Sequence, residues 1–276
     1  MRSSEWLVAG YFAYVTILAA VFFGASPATW KSLATAAVVV SLIALLARFP
    51  KHGRSFTRDF APIFYTLAAY REMDWFTPAT HAHRLERIWI VWDRRLLDHG
   101  LRGAIESAGI WLPGFLELCY ALVYAVALVS IIAILANERR AQIDTFWLAY
   151  LVGTLGAYAL FPFFPSEPPR TVFPGADLPH ITTWLRDFNL SIVGAYGIHS
   201  SVFPSAHVSS AFSAAWGLLA AIPRRKWIGW SMFAYGVAVA IATVYGRYHY
   251  AVDAVAGMAM SLFAPAALAL EKRYSN

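Results

Sequence analysis

The chain has 276 residues, 59% of them hydrophobic and only 14% charged, with a mean hydropathy of +0.53. A soluble globular domain carries about 25% charged residues, so this composition excludes one and points to an all-α, polytopic membrane bundle. The net charge of +6 needs no nucleic acid: no soluble segment interleaves basic and aromatic residues, and Lys and Arg beside anionic lipid account for the excess.

Runs of about 20 apolar residues mark membrane spans. The first is Trp6–Phe23, whose apolar run exceeds the usual h-region of a signal peptide and reads as an uncleaved anchor. With Leu33–Ala47 it makes an N-terminal transmembrane hairpin over residues 1–54, leaving 55–276 as a catalytic membrane domain with a six-helix core. Asp59–Phe76 is a short additional crossing: eighteen helical residues reach about 27 Å, against a hydrocarbon core of about 30 Å. In residues 77–111, Arg84, Arg87, Arg94 and Arg95 alternate with Leu85, Ile88, Trp89, Val91, Trp92 and Leu96, predicting an amphipathic helix at the interface. Leu112–Ala136 and Phe146–Phe164 follow, then a Pro- and Gly-rich loop over 165–204, and finally the spans Val208–Ile222, Trp227–Tyr245 and Tyr250–Leu270. The single cysteine, Cys119, lies inside a span, so no intramolecular disulfide forms.

Orientation follows from the basic residues in short connections. Arg139-Arg140, Arg224-Arg225-Lys226, Lys272-Arg273 and the cluster Arg48, Lys51, Arg54 and Arg58 share one side if there are eight crossings. That side is cytoplasmic, with both termini on it. The expected location is the plasma (inner) membrane, with the opposite face extracytoplasmic.

Two segments carry the chemistry. Phe203-Pro204-Ser205-Ala206-His207 and His249-Tyr250-Ala251-Val252-Asp253 each open a span, with one span between them, so both emerge at the extracytoplasmic face. Asp253 follows His249 by four residues and shares its helix face. A carboxylate there accepts one imidazole N–H and leaves the other nitrogen as an attacking lone pair. His207 on the neighbouring helix is placed to protonate a leaving alkoxide. Ser205 starts that helix, whose free N–H groups and positive dipole end favour a phosphate. Arg170, after the Phe146–Phe164 span, offers two parallel hydrogen bonds to phosphate oxygens, and Arg247 is a second candidate clamp. Together these suit phosphoryl transfer on a lipid phosphate whose tails stay among membrane lipids. Glu117 is an intramembrane acid, a candidate to pair with an arginine at the site or to contact a headgroup hydroxyl. His180 and His199 read as solvated or capping residues, and Tyr120/Tyr124 as helix packing.

The pattern Pro-Ser-x-His, followed one span later by His-x-x-x-Asp, resembles the type-2 phosphatidic acid phosphatase superfamily. The resemblance covers roughly residues 55–270. It implies a helical bundle with its motifs at one end, and a phosphohistidine intermediate with no metal or other cofactor. Carried across, His249 is the nucleophile, Asp253 its orienting carboxylate and His207 the general acid. Where the family's first motif begins with Lys this chain has Phe163, and where the third has Arg it has Thr243. Pro-Pro-Arg, Phe-Pro-Ser-x-His and Thr-Val-Tyr before x-His-Tyr-x-x-Asp are similar to the inositol phosphorylceramide synthase branch, which inclines the reading toward a phosphotransferase over a hydrolase. Two other classes stay open on the residues alone: a metal-dependent membrane enzyme with His207, His249 and Asp253 as ligands, and a transporter or scaffold without chemistry.

Overall fold

A computed structural model describes residues 1–48, 55–175 and 177–275, and no strand occurs among them. Lys51, Arg54 and the expected boundary at residue 54 lie outside the described residues. Helices α1 (Ser3–Phe23) and α2 (Pro27–Leu46) form the first pair. Their turn is fixed by Ser26, which accepts from the Thr29 N–H, with Pro27 pre-set at the first helical position. Helix α3 (Phe56–Met73), capped by Ser55, runs on into a 3₁₀ turn at Asp74–Phe76. Next come α4 (Arg84–Leu96), the short α5 (Arg102–Glu106), then α6 (Trp111–Leu122), α7 (Val126–Ala136) and α8 (Ile143–Leu160). The remainder are α9 (Pro169–Val172), α10 (Trp184–Tyr196), α11 (Ala206–Ala221), α12 (Lys226–Tyr245), α13 (Ala251–Ser261) and α14 (Phe263–Ser275).

Among the described residues, six helical stretches are long and apolar enough to cross a membrane: Ser3–Phe23, Pro27–Leu46, Trp111–Ala136, Arg140–Phe163, Pro223–Tyr245 and Ala251–Arg273. They correspond to six of the eight expected crossings. The other two, α3 and α11, fall short for different reasons. Helix α3 carries Arg58, Asp59, Arg71 and Glu72 near its ends, and α11 has only 16 residues. Both nevertheless run the height of the bundle. Asp59 meets Arg140 at one end of α3, while near the other end the Tyr70 hydroxyl accepts from the Ile198 N–H. Helix α11 reaches from Ser205 to Ala221, whose carbonyl accepts from Arg139.

A helix enclosed by protein needs no lipid-facing apolar surface, and α11 is so enclosed. It packs against α8, α12 and α13, with Ser209, Ser213, Ala211, Ala214 and Ala215 fully buried. Small side chains let the backbones approach closely. The Ser209 hydroxyl donates to the Gly153 carbonyl at 2.9 Å, and a Cβ at Gly153 would collide with Ser213.

Two expected spans are not continuous. Leu112–Ala136 is interrupted by a 3₁₀ turn at Val123–Ala125. The last span breaks at Leu262, between α13 and α14, because Pro265 has no N–H for the Ser261 carbonyl four residues back.

The end remote from the two histidine motifs is held by ion pairs. Asp59 receives Arg2 at 2.8 Å and Arg140 at 2.7 Å, and Glu5 pairs with Arg58 at 2.7 Å. The Ser3 N–H donates to Asp144 at 3.0 Å. These contacts join α1, α3 and α8, while Val8, Phe12 and Val15 of α1 share the main apolar core with Phe146, Trp147 and Leu151 of α8.

Candidate active site

The site lies where α11 and α13 begin. The backbone link is direct: the Ser205 N–H donates to the Asp253 carbonyl at 2.9 Å. Gly257, one turn further along α13, has no room for a Cβ because the Ser205 carbonyl stands in its place. Ser205 itself is fully buried and its hydroxyl caps α11 by accepting from the Val208 N–H.

This crossing brings the histidines together. The rings of His207 and His249 lie edge to face with centroids 5.6 Å apart. Nδ1 of His249 is 3.3 Å from Oδ2 of Asp253, which also accepts from the Tyr250 N–H at 2.8 Å. Asp253 is fully buried, so its carboxylate is held in place by these two donors. With the proton on Nδ1, the lone pair of His249 is on Nε2. Burial pushes the His249 imidazole down to about 3, Arg170 adds to that shift, and the Val202 backbone opposes it. His207 is half-buried, with Nε2 3.4 Å from the Tyr124 hydroxyl and its ring 5.1 Å from that of Tyr120. Tyr120 and Tyr124, read from sequence as packing residues, therefore flank the second histidine.

Arg170 reaches the same end from the short helix α9. Its N–H donates to the Arg247 carbonyl at 3.2 Å, and its guanidinium lies 5.4 Å from the centre of the Tyr248 ring and 3.5 Å from the Tyr248 carbonyl. Arg247 is placed differently from an open clamp. Its Nη1 donates to Asp93 at 2.7 Å, both side chains are 1% exposed, and its backbone adopts a left-handed φ of 61°. Its Nε and Nη2 make no hydrogen bond.

Glu117 is enclosed by donors. Arg186 gives 3.0 Å to Oε1, while Tyr248 and Asn189 give 2.7 and 2.8 Å to Oε2. Every oxygen is occupied, so the acid joins α6 and α10 to the segment carrying His249. The arginine it pairs with is Arg186, which the sequence reading did not single out. His180 and His199 are exposed and sit against Glu106 and Asp74.

Sequence reasoning also missed the part played by α4. Its arginines Arg84, Arg87, Arg94 and Arg95 are exposed, while Glu86, Ile90, Asp93 and Leu97 form the buried stripe. Asp93 Oδ1 accepts from the Ala251 N–H at 2.9 Å, so α4 caps the first turn of α13 as well as holding Arg247. Trp89 stacks on Phe203 at 5.3 Å and packs edge-on against Tyr250 at 5.5 Å. The signal was present as a 3–4 spacing at 86, 90, 93 and 97.

Searches among curated proteins and among solved structures found no match. The profile of the PAP2 superfamily matches residues 83–267, a stretch that holds both histidine motifs, Arg170 and α4. That match covers more than half of the chain, and the chain belongs to the PAP2 superfamily, as an enzyme of the phosphatase type acting on lipid phosphates.

Proposed function

We propose that the enzyme moves the phosphoryl group of a lipid phosphate ester through a phosphohistidine formed on His249, at the extracytoplasmic face of the plasma membrane and with both termini in the cytoplasm. The observation that carries this reading is the pair of imidazoles 5.6 Å apart, one of them bonded to a buried carboxylate. In the first step Nε2 of His249 attacks phosphorus as the P–O bond to the leaving alcohol breaks. His207 gives its proton to the departing oxygen, and Asp253 holds the Nδ1 proton of the imidazolium that forms. In the second step His207 takes a proton from the acceptor, whose oxygen displaces Nε2 from phosphorus and returns the lone pair to His249. Arg170 and the start of α11 at Ser205 supply positive potential to the phosphate oxygens. Nε and Nη2 of Arg247 are the donors through which that residue would reach them. Glu117 acts through its network on Tyr248 and Arg170 in preference to a headgroup.

The acceptor is an alcohol in this reading, by likeness of the Pro-Pro-Arg and Phe-Pro-Ser-x-His segments to inositol phosphorylceramide synthases. Water in its place gives hydrolysis from the same intermediate. Residues 55–276 form the catalytic domain and 1–54 a supporting hairpin. Purified wild type and His249→Ala, incubated with phosphate-labelled lipids with and without long-chain or polyol alcohols, test the proposal. Label should appear on wild-type protein in acid-labile, base-stable form and pass to an alcohol. Turnover by His249→Ala at the wild-type rate, or turnover without a labelled intermediate after rapid quenching, would falsify it.

A further inference from the structure

We propose that His81, His83 and Glu86 form a binding site for a divalent cation of the zinc class, at the first turn of α4. One ligand atom from each residue lies within 4.8 Å of the other two. Nδ1 of His83 is 3.5 Å and Nδ1 of His81 is 4.0 Å from Oε1 of Glu86. The side chains of His81 and Glu86 are 10% and 1% exposed.

Three observations separate this cluster from an ordinary surface ion pair. First, Nε2 of His81 and Nδ1 of His83 are buried without a hydrogen-bond partner, a condition that is unfavourable unless something binds there. Second, the two imidazoles stack nearly parallel, 15° apart with centroids 5.6 Å apart. Third, His83 adopts a left-handed φ of 48° immediately before α4. A non-glycine residue in that region carries backbone strain, and here the strained turn sets the second imidazole against Glu86.

The donor set suits zinc. Two imidazoles and a carboxylate are a recurring three-ligand combination, leaving a fourth position for water. Ligand atoms at about 2.0–2.1 Å from a tetrahedral ion are about 3.4 Å apart, so the His83–Glu86 separation of 3.5 Å already fits and His81, at 4.0 Å from Glu86, would close in on the ion. The carboxylate is oriented from behind by the Glu167 N–H, which donates to Oε1 at 3.0 Å, an outer contact of the kind that fixes metal-binding carboxylates. His83 is 35% exposed, which gives an ion its path of approach.

An ion bound there would clasp three pieces of chain: the segment before α4, α4 itself, and the loop at Glu167 that leads to Arg170. Asp93, two turns along α4, holds Arg247 and the Ala251 N–H. The clasp would therefore steady the wall of the catalytic site without supplying a group to the reaction, and it stands whether or not the phosphoryl-transfer proposal does.

The test uses untagged, full-length protein in detergent, stripped with EDTA and dialysed against zinc chloride. Wild type should retain one equivalent of zinc by elemental analysis and show a higher Tm with zinc than without. His81→Gln and His83→Gln, which keep side-chain bulk, should each lose that equivalent and the zinc-dependent rise in Tm. His249→Ala should retain both, separating this site from one at His207 and His249. Cobalt(II) in wild type should give the intense visible bands of a four-coordinate nitrogen and oxygen site, a readout that needs no variant to fold. Absence of stoichiometric zinc in wild type, retention of zinc by the glutamine variants, or the weak spectrum of hydrated cobalt would overturn the proposal.

Discussion

Nη1 of Arg247 lies 2.7 Å from Oδ2 of Asp93, and the two side chains are each 1% exposed. Arg247 precedes His249 by two residues, and the other oxygen of Asp93 receives the N–H of Ala251, two residues after it. One carboxylate on α4 thus grips the chain on both sides of His249. Removing one partner of a buried pair leaves the other charge without compensation, at a cost of about 3–5 kcal/mol. Asp93→Ala should therefore lower Tm by several degrees in detergent and reduce kcat, since His249 loses both anchors. Asp93→Asn should keep the Ala251 bond and lose less. An Asp93→Ala protein with wild-type Tm and kcat would show that α4 does not hold this segment.

His207 is proposed to protonate the leaving oxygen, and that role depends on the leaving group. General acid catalysis contributes typically 10²–10⁴-fold. His207→Ala should lose about that factor on an alkyl phosphate, and far less on a nitrophenyl phosphate whose phenolate departs without a proton. Dephosphorylation should become limiting for the activated substrate, so labelled His249 should accumulate. Equal losses on the two substrates would assign His207 to binding.

The pH profile tests the environment of the proposed nucleophile. A lowered pKa means the neutral imidazole persists as pH falls, until pH passes the shifted value of about 3. After correction for ionisation of the substrate, kcat/KM should show no acid limb at the ordinary histidine value of about 6.5. This replaces the bell centred near 6.5 that two unperturbed histidines would give. Arg170 contributes to the shift, so Arg170→Gln should move the acid limb upward toward neutrality while weakening phosphate binding. An acid limb near 6.5 in wild type would mean that His249 is open to water in the working enzyme.

Much of the bundle could be read from apolar runs because lipid-facing helices must be apolar along their length. The sequence also marked α3 and α11 as crossings, but they are the two whose charge content or length falls short of a full span, and their surroundings differ from lipid: ion pairs at the ends of α3, and small-residue packing around α11. His249 and Asp253 were visible as a pair because four residues make one helical turn. The partner of Glu117 was invisible, since Arg186 lies 69 residues away and no local spacing encodes such a contact. On α4 the sequence was read as arginines interleaved with apolar residues, which passed over the acids Glu86 and Asp93 on the buried face. Tyr124 sits in a 3₁₀ turn inside an expected continuous helix, so its approach to His207 had no periodic signature.

Glu117 separates a structural role from a role in recognition. Its oxygens are saturated by Arg186, Tyr248 and Asn189, and Tyr248 in turn stacks on Tyr120 with centroids 3.8 Å apart. Tyr120 meets the ring of His207, and the Tyr248 carbonyl meets Arg170, so displacement of Tyr248 reaches both. Glu117→Leu should thus lower Tm and reduce kcat by a similar factor for every lipid headgroup. Because Arg186 is then left as a buried cation without a counter-ion, the double variant Glu117→Leu/Arg186→Leu should be more stable than Glu117→Leu alone. That reversal of additivity is the mark of a buried ion pair whose partners act on each other. A headgroup contact predicts the contrary pattern: unchanged Tm, a raised KM for one headgroup only, and no recovery in the double variant. Thermal denaturation and a headgroup panel on the same three proteins decide between them.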